Sequence, residues 1–131
     1  MLRHIRSEGG DKMFVNVSNH PSELWLDKQK ECALCYGDIV DVAFPAIHKD
    51  YDSNKYDELV ELYYERIMGI CPDVVMVQGE FIFTYRLVCK LKVSGVRVVS
   101  APSERICQEF KDKNNVIHKH SLFEFIDFVD Y

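Results

Sequence analysis

The sequence lacks any long apolar run, and this absence excludes several classes of protein. None of its apolar stretches approaches the roughly 20 residues of a membrane-spanning helix. Residues 1–12 are basic and contain glycine, but they lack the apolar segment of a secretory signal. We therefore expect a cytoplasmic protein with no membrane partner, in which residues 1–12 are a flexible leader or an expression remnant.

Basic residues are also scarce relative to acidic ones. The chain has 16 lysines and arginines against 21 acids, which gives a formal net charge of −5. A protein that grips long DNA or RNA regardless of sequence needs a basic surface, so we expect no long nucleic acid as a partner. A small anionic ligand is compatible with this charge, because backbone amides and one or two cations suffice to hold it.

Two common nucleotide-binding motifs are missing. The first β-like run ends in Ser18-Asn19-His20-Pro21-Ser22 instead of GxGxxG, and no Walker A lysine loop occurs. These absences argue against NAD, FAD and the usual nucleoside triphosphates, and we predict no cofactor.

The sequence also lacks a complete metal-ligand pattern. Its five cysteines include one CxxC, Cys32 to Cys35, in the middle of a predicted helix, and no second CxxC follows. An odd number of cysteines without a signal sequence indicates reduced, structural thiols, with a redox or metal role as the alternative. His118 and His120 share one face of a predicted strand, but no third ligand is evident, so we predict no metal site.

What the sequence does contain is a regular alternation of strand-like and helix-like segments. Residues 13–131 predict one α/β domain with a Rossmann-like, three-layer α/β/α arrangement around a mostly parallel sheet. The predicted strands span residues 13–17, 38–44, 73–77 and 96–99, and the predicted helices span residues 22–36, 55–68 and 80–93. Ser22 is the predicted N-cap of the first helix.

The C-terminal part follows a different pattern. Residues 107–111 and 116–120 flank a polar turn and predict a hairpin or two short strands. Residues 121–131 fit either an amphipathic helix or an edge strand, so the domain is predicted to end in a hairpin or edge strand.

Three polar clusters follow predicted strands, and ligands of parallel α/β sheets bind outside the carboxyl ends of the strands. The first cluster offers Ser18 and Asn19 for phosphate or ribose, and His20 as an acid or base near neutral pH. The same three residues are also what a polar turn between a strand and a helix contains.

The second cluster is Gln78-Gly79-Glu80. Gly79 would let the backbone approach a ligand closely, and the N-terminus of the next helix favours phosphate. Glu80 would bind ribose, act as a base, or simply be a favourable acid in a first helical turn. Thr84 lies one turn further and is predicted to face the same ligand.

The third cluster, Ser100 to Arg105, adds two hydroxyls and a cation. Ser100 and Ser103 are predicted ligand contacts, and the Arg105 guanidinium suits bidentate contact with phosphate. The alternative is a solvated loop in which Arg105 pairs with Glu104 or a neighbour.

Taken together, four segments resemble the small stand-alone CRISPR-associated proteins related to the CARF (CRISPR-associated Rossmann fold) superfamily. The resemblance covers most of residues 13–131 and is carried by Met13-Phe-Val-Asn-Val-Ser-Asn-His-Pro-Ser, Tyr36-Gly-Asp-Ile-Val-Asp with Phe44-Pro45, Val77-Gln-Gly-Glu-Phe, and Val99-Ser-Ala-Pro-Ser-Glu-Arg. It implies a homodimer that binds a cyclic oligoadenylate second messenger in antiviral signalling. Because the chain carries no effector nuclease domain, the resemblance favours destruction of the messenger as a ring nuclease, although no catalytic lysine of the family can be matched.

We therefore predict metal-independent cleavage by the ligand's own 2′-OH, with His20, Ser18 and Arg105 as catalytic residues. The products would be linear adenylates ending in a 2′,3′-cyclic phosphate. Three alternatives stay open: a non-catalytic binder of the same ligand, a deoxyribosyltransferase-like or N-glycosidase-like enzyme with Glu80 as nucleophile, and a partner-binding domain using Phe123 to Tyr131.

Overall fold

The computed structural model describes residues 10–131, apart from the side chains of residues 104–108 and 120–123. Most of the leader assigned to residues 1–12 therefore lies outside the described residues. The elements in chain order are β1 (Met13–Ser18), a 3-10 turn (Ser22–Leu24), α1 (Asp27–Leu34), β2 (Asp38–Ala43), α2 (Ser53–Gly69), β3 (Val74–Gln78), α3 (Phe81–Val93), β4 (Arg97–Ser100), β5 (Ser103–Lys111), β6 (Ile117–Phe125) and β7 (Val129–Asp130).

The principal sheet has five strands in the order β2-β1-β3-β4-β7. Four of them run parallel, and β7 pairs antiparallel with β4 at one edge. The prediction of an α/β domain with a mostly parallel sheet is confirmed, and the architecture is compatible with a Rossmann-like fold. The register sets Ser18, at the end of β1, beside Ala43 of β2 and Gln78 of β3.

Both faces of the sheet are apolar, as expected for parallel strands between connecting helices. Alternate residues of the strands, such as Val15 and Val75, belong to one cluster with side chains of α2 and α3. Their neighbours, such as Phe14 and Met76, belong to a second cluster with Trp25, Ala33 and two C-terminal phenylalanines, Phe125 and Phe128. The β-branched strand sequences are therefore explained by burial on both sides.

The first helix is shorter than its sequence predicts. Instead of one helix over residues 22–36, the chain makes one 3-10 turn and then extends at Trp25 and Leu26, with ψ values of 152° and 148°, before α1 begins. The prediction that Ser22 caps the helix was wrong, because its amide and hydroxyl both donate to Asp41. The break arises because Trp25 is buried under the sheet and its indole N–H donates to the His20 carbonyl, 3.0 Å away.

The C-terminal region is a hairpin followed by an edge strand. Strands β5 and β6 pair along their whole length in a separate two-stranded sheet, so the predicted hairpin is confirmed and is longer than expected. The helical alternative for residues 121–131 was wrong, since β6 continues to Phe125 and β7 follows. A helix would have removed Phe125 and Phe128 from the core cluster that they share with Phe14, in which the Phe125 and Phe128 rings lie 4.9 Å apart.

Candidate ligand site at the carboxyl edge of the sheet

The strand order β2-β1-β3-β4 has its topological switch point between β1 and β3. From β1 the chain continues to β2 on one side of it, and from β3 it continues to β4 on the other side. The loops after the neighbouring strands β1 and β3 therefore run in opposite directions and leave a crevice between them. In open α/β sheets this crevice is where ligands bind. The first two polar clusters of the sequence, residues 18–22 and 78–80, lie at this position.

A buried polar network holds the end of β1. Asn16 is only 1% exposed, and its side-chain amide donates to Asp41 at 2.8 Å and to the His20 carbonyl at 2.9 Å. The Ser18 hydroxyl donates to the Asn16 side-chain oxygen at 2.7 Å. Since each of these buried groups is paired, the network stabilises one conformation of the loop.

This network fixes the backbone of His20 while its side chain is exposed. The His20 carbonyl accepts hydrogen bonds from Asn16 and Trp25, and its amide donates to the Ser18 hydroxyl at 3.2 Å. The imidazole therefore stands on a rigid base at the switch point and is accessible to solvent. By contrast, Ser18 is 8% exposed and already bonded to its neighbours, so its hydroxyl positions the loop. Asn19 is exposed beside it.

Glu80 closes the N-terminus of α3. Its carboxylate accepts from the amides of Ile82 at 2.8 Å and Phe83 at 2.9 Å, which makes it the N-cap of the helix. It also lies against Tyr56, whose pKa is raised by burial and then by the charge and hydrogen bond of Glu80. The Glu80 carboxylate is therefore engaged in capping the helix, and the two amides that it accepts from are not available to a ligand.

The absence of a side chain at Gly79 makes room for an aromatic ring of the protein itself. A Cβ atom there would lie 2.4 Å from the Phe44 ring, and that ring packs edge-on against Phe83 with centroids 5.2 Å apart. The close approach predicted at Gly79 is present, but the group that approaches is Phe44.

Two further residues of the β3 and α3 segments have different environments. The Gln78 side-chain oxygen accepts from the Ala101 amide at 2.9 Å and so ties the ends of β3 and β4 together. The Thr84 hydroxyl is buried and has no hydrogen-bond partner within the described part of the chain. An unpaired buried hydroxyl in the first turn of a helix at this edge is the kind of group that a ligand or water satisfies.

The third cluster is divided between two strands. Only Ala101 and Pro102 connect β4 to β5, so the predicted loop of residues 100–105 is wrong. Ser100 ends β4, beside the Tyr131 hydroxyl, and Ser103 begins β5 and is exposed. The backbone of Arg105 belongs to the hairpin, and its side chain lies outside the described residues. The structure thus brings the first two clusters and Ser100 to one edge of the sheet.

A shallow depression of about 620 Å³ lies in the loop after β2. Its lining carries acids, one lysine and two aromatic rings, from His48, Asp50, Tyr51, Asp52, Asn54, Lys55 and Glu58. The loop leaves the same edge of the sheet as the two clusters, so the depression extends the polar surface of that edge.

One member of each pair, Cys32 and His118, has a partner within the fold, and the side chain of His120 lies outside the described residues. The Cys32 thiol donates to Asp127 at 3.3 Å, and burial, followed by that carboxylate, raises the pKa of the thiol. His118 pairs with Asp112 at 2.8 Å and stacks on Phe110. Across residues 10–131, with the side-chain gaps noted, no group of three or more His, Cys, Asp or Glu residues could hold a metal ion. A raised thiol pKa favours the structural role for Cys32.

Sequence reasoning missed Asn16 and Asp41, which organise the site. Each interrupts a strand-like apolar run, Phe14 to Val17 for Asn16 and Ile39 to Val42 for Asp41. A polar residue within such a run was the available signal, because a buried polar group such as Asn16 needs a partner, and a polar residue of the neighbouring strand can supply it.

These features define an α/β protein with a mostly parallel sheet and a hydrogen-bonded polar loop at its switch point. The chain belongs to the Uncharacterized protein MJ1673 family, whose model matches residues 12–129. No curated protein matches the chain. Within residues 10–131, no helix is both long and apolar enough to cross a membrane.

Proposed function

We propose that the protein binds a small nucleotide at the switch point between β1 and β3. The observation that carries this proposal is that the His20 loop and the β3–α3 loop leave neighbouring strand ends at the position where doubly wound sheets bind ligands. The unpaired Thr84 hydroxyl supports it. The proposal includes a three-layer α/β/α arrangement of the Rossmann type and a cytoplasmic location.

The preferred ligand is a cyclic oligoadenylate, because the loop segments resemble those of CARF-related proteins. On the same resemblance we propose a role in CRISPR antiviral signalling and a homodimer, since a ring with a two-fold axis suits two identical half-sites. Asn19, Ser100 and Ser103 are the proposed polar contacts, and Arg105 is the proposed cation.

The proposed reaction is cleavage of the ring without a metal. A ribose 2′-OH attacks the adjacent phosphorus, the bond from phosphorus to the 5′ oxygen breaks, and a 2′,3′-cyclic phosphate and a 5′-OH result. His20 accepts the 2′-OH proton, and the leaving oxygen takes a proton from water or from the protonated imidazole. Because the Ser18 hydroxyl is engaged with Asn16, we assign it to positioning His20 instead of to the bond-breaking step.

Of the alternatives, binding without turnover uses the same residues and differs only in the role of His20. A glycosidase-like reaction needs a free Glu80 carboxylate, and the two amide bonds and the Tyr56 contact argue against it. We therefore propose Glu80 as a residue that shapes the loop for the ligand, together with Gln78 and Gly79.

The test is to incubate the protein with cyclic tri-, tetra- and hexa-adenylate in EDTA and to read products by mass spectrometry and binding by thermal shift. Three variants accompany the wild type: His20→Ala, His20→Gln, and His118→Ala as a control at an exposed histidine of the hairpin. We expect wild type and His118→Ala to give linear products with a 2′,3′-cyclic phosphate. Both His20 variants should still bind the rings but cleave them at rates at least about 100-fold lower, as expected for loss of a general base.

Other outcomes separate the alternatives. A thermal shift without products would establish a binder. Release of free adenine from a nucleoside would favour the glycosidase-like reaction with Glu80 as nucleophile. Neither shift nor products with any of the three rings would overturn the cyclic oligoadenylate proposal.

A further inference from the structure

Helix α3 is apolar on two sides, although only one side contacts the sheet. Phe83, Leu87 and Leu91 are fully buried against the core. On the outer side, Phe81 is 89% exposed and Val93 is 90% exposed. The side of a surface helix that faces away from the core is normally polar, so the apolar outer side of α3 is unusual.

The exposed residues form a continuous stripe, called here the α3 stripe and consisting of Phe81, Ile82, Tyr85, Cys89 and Val93. Four of them recur every fourth residue, so they occupy neighbouring positions along one side of the helix. Tyr85, in the middle, is 71% exposed. The stripe runs the length of this 13-residue helix, about 20 Å at 1.5 Å per residue.

Charged pairs border the stripe. On the side of α2, Arg86 pairs with Asp57 at 2.9 Å and Lys90 pairs with Glu61 one turn further. Elsewhere, the Lys92 ammonium donates to the Tyr131 carbonyl at 2.7 Å. An apolar centre with a charged rim of both signs is the composition of a protein–protein interface.

We infer that the α3 stripe is the surface through which two copies of this chain associate. An isologous two-fold contact places the same patch on both partners, so each apolar stripe meets an identical one. The acids and bases of the rim are paired within the chain, so the border carries no unbalanced charge that would repel an identical surface.

The area of the stripe supports a second copy as the occupant. A buried aromatic side chain contributes about 150–250 Å², so Phe81 and Tyr85 alone offer roughly 300 Å² at their exposures. With Ile82, Cys89 and Val93, the apolar centre reaches about half of the ~800 Å² per partner that a stable interface buries. The charged rim supplies area of the same order. Exposed apolar patches of this size mark interaction sites on soluble proteins.

The stripe is also continuous with the candidate ligand site, because Phe81 directly follows Glu80. A contact that begins at Phe81 would bring the β3–α3 loops of the two copies near the same axis. That consequence rests on the proposed function, whereas the association itself does not.

The test is sedimentation equilibrium of the ligand-free protein from about 1 to 100 µM, a range that brackets affinities of a modest homodimer. Tyr85→Arg and Phe81→Arg each place a charge in the stripe, and Leu24→Arg is the matched control at a residue that is 72% exposed outside the stripe. Far-UV circular dichroism of each variant confirms that it is folded, and Phe81→Ser replaces any variant that is not.

We expect the wild type and Leu24→Arg to be dimers. Each stripe variant should raise the dissociation constant by at least about 30-fold, the effect of losing a central interface residue. A monomeric wild type at 100 µM, or stripe variants that stay dimeric with wild-type affinity, would overturn the inference. Thermal shift with the cyclic ligands is read separately, so a monomer that still binds them would overturn the association alone.

Discussion

At the scale of single residues, the polar groups of the carboxyl edge divide into those that serve the fold and those that are free for a ligand. Glu80 caps a helix, Gln78 ties two strand ends, and Ser18 completes a buried network. His20 and Asn19 are exposed on the loop that these contacts hold. Each chemical type was evident from the sequence, but its task depended on partners up to 25 residues away, such as Asp41 for Asn16.

Gly79 gives the sharpest prediction at this scale. In Gly79→Ala, the new methyl group would lie 2.4 Å from the Phe44 ring, and Phe44 is held in turn by Phe83. Overpacking of this kind costs about 1–3 kcal/mol, so we expect the free energy of unfolding to fall by that amount in urea denaturation.

Two further variants control this measurement. Gly69→Ala, at the end of α2 with nothing within 4 Å, should be neutral or slightly stabilising. Adding Phe44→Leu to Gly79→Ala should recover part of the lost stability, because a smaller side chain relieves the overlap. A Gly79→Ala protein as stable as the wild type would contradict the packing described for Phe44.

At the scale of elements, the strands and the two later helices could be predicted from sequence because local pattern and tertiary burial agree there. Strands β1 and β3 are apolar runs buried on both faces, and α2 has one apolar stripe facing the core. The prediction of the first helix was wrong because contacts distant in sequence determine where that helix begins. Nothing local in Ser22 to Leu26 indicates that Asp41 takes the Ser22 hydroxyl or that Trp25 bonds to His20.

The hairpin tip gives a prediction that depends on pH. Asp112 accepts from the amides of Asn114 and Val116 and pairs with His118, and its pKa is lowered, first by His118 and then by the Val116 amide. A lowered pKa in the folded state means that the charged form stabilises the tip. This contribution is complete above the unfolded pKa near 3.8 and is lost as the pH falls through the lower folded value.

Amide hydrogen exchange at Val116, corrected for its intrinsic pH dependence, measures this effect. In the wild type we expect protection to fall with acidification below about pH 4, close to the ordinary pKa of aspartate. In Asp112→Asn, the protection should be lower at neutral pH and nearly independent of pH over that range. The same pH dependence in Asp112→Asn would show that another group is responsible.

At the scale of the whole molecule, the C-terminal segment covers part of one face of the sheet and extends its edge. Phe125 and Phe128 pack beside Phe14 and Trp25 on one face, and β7 extends the sheet beyond β4. The sequence left this segment as either a helix or an edge strand, because its apolar residues fit both periods. The segment forms strands because the edge of β4 is available for pairing and because Phe14 of β1 provides an aromatic partner. Neither contact can be inferred from the local sequence.

Tyr131 provides the prediction at this scale. Its hydroxyl donates to the Val77 carbonyl at 2.6 Å, its amide donates to Val98, and burial raises the pKa of the phenol. Tyr131→Phe removes one hydrogen bond and leaves the Val77 carbonyl without it, so we expect unfolding to cost about 1 kcal/mol less. Tyr51→Phe, at a half-buried tyrosine outside the α3 stripe that packs through its ring against His48 and Tyr56, is the matched control and should change the free energy of unfolding by less than about 0.5 kcal/mol. Equal effects in the two variants would mean that the Val77 contact contributes nothing.

The position of Trp25 has one more consequence. It is the sole tryptophan of the chain, it is 8% exposed, and its indole N–H is bonded to the backbone of His20. Fluorescence excited at about 295 nm or longer wavelengths therefore comes from a single chromophore. That chromophore is hydrogen-bonded to the loop that carries the candidate catalytic imidazole. Any rearrangement of that loop that wets the indole shifts its emission to longer wavelength, so the protein carries its own unlabelled optical reporter of this loop.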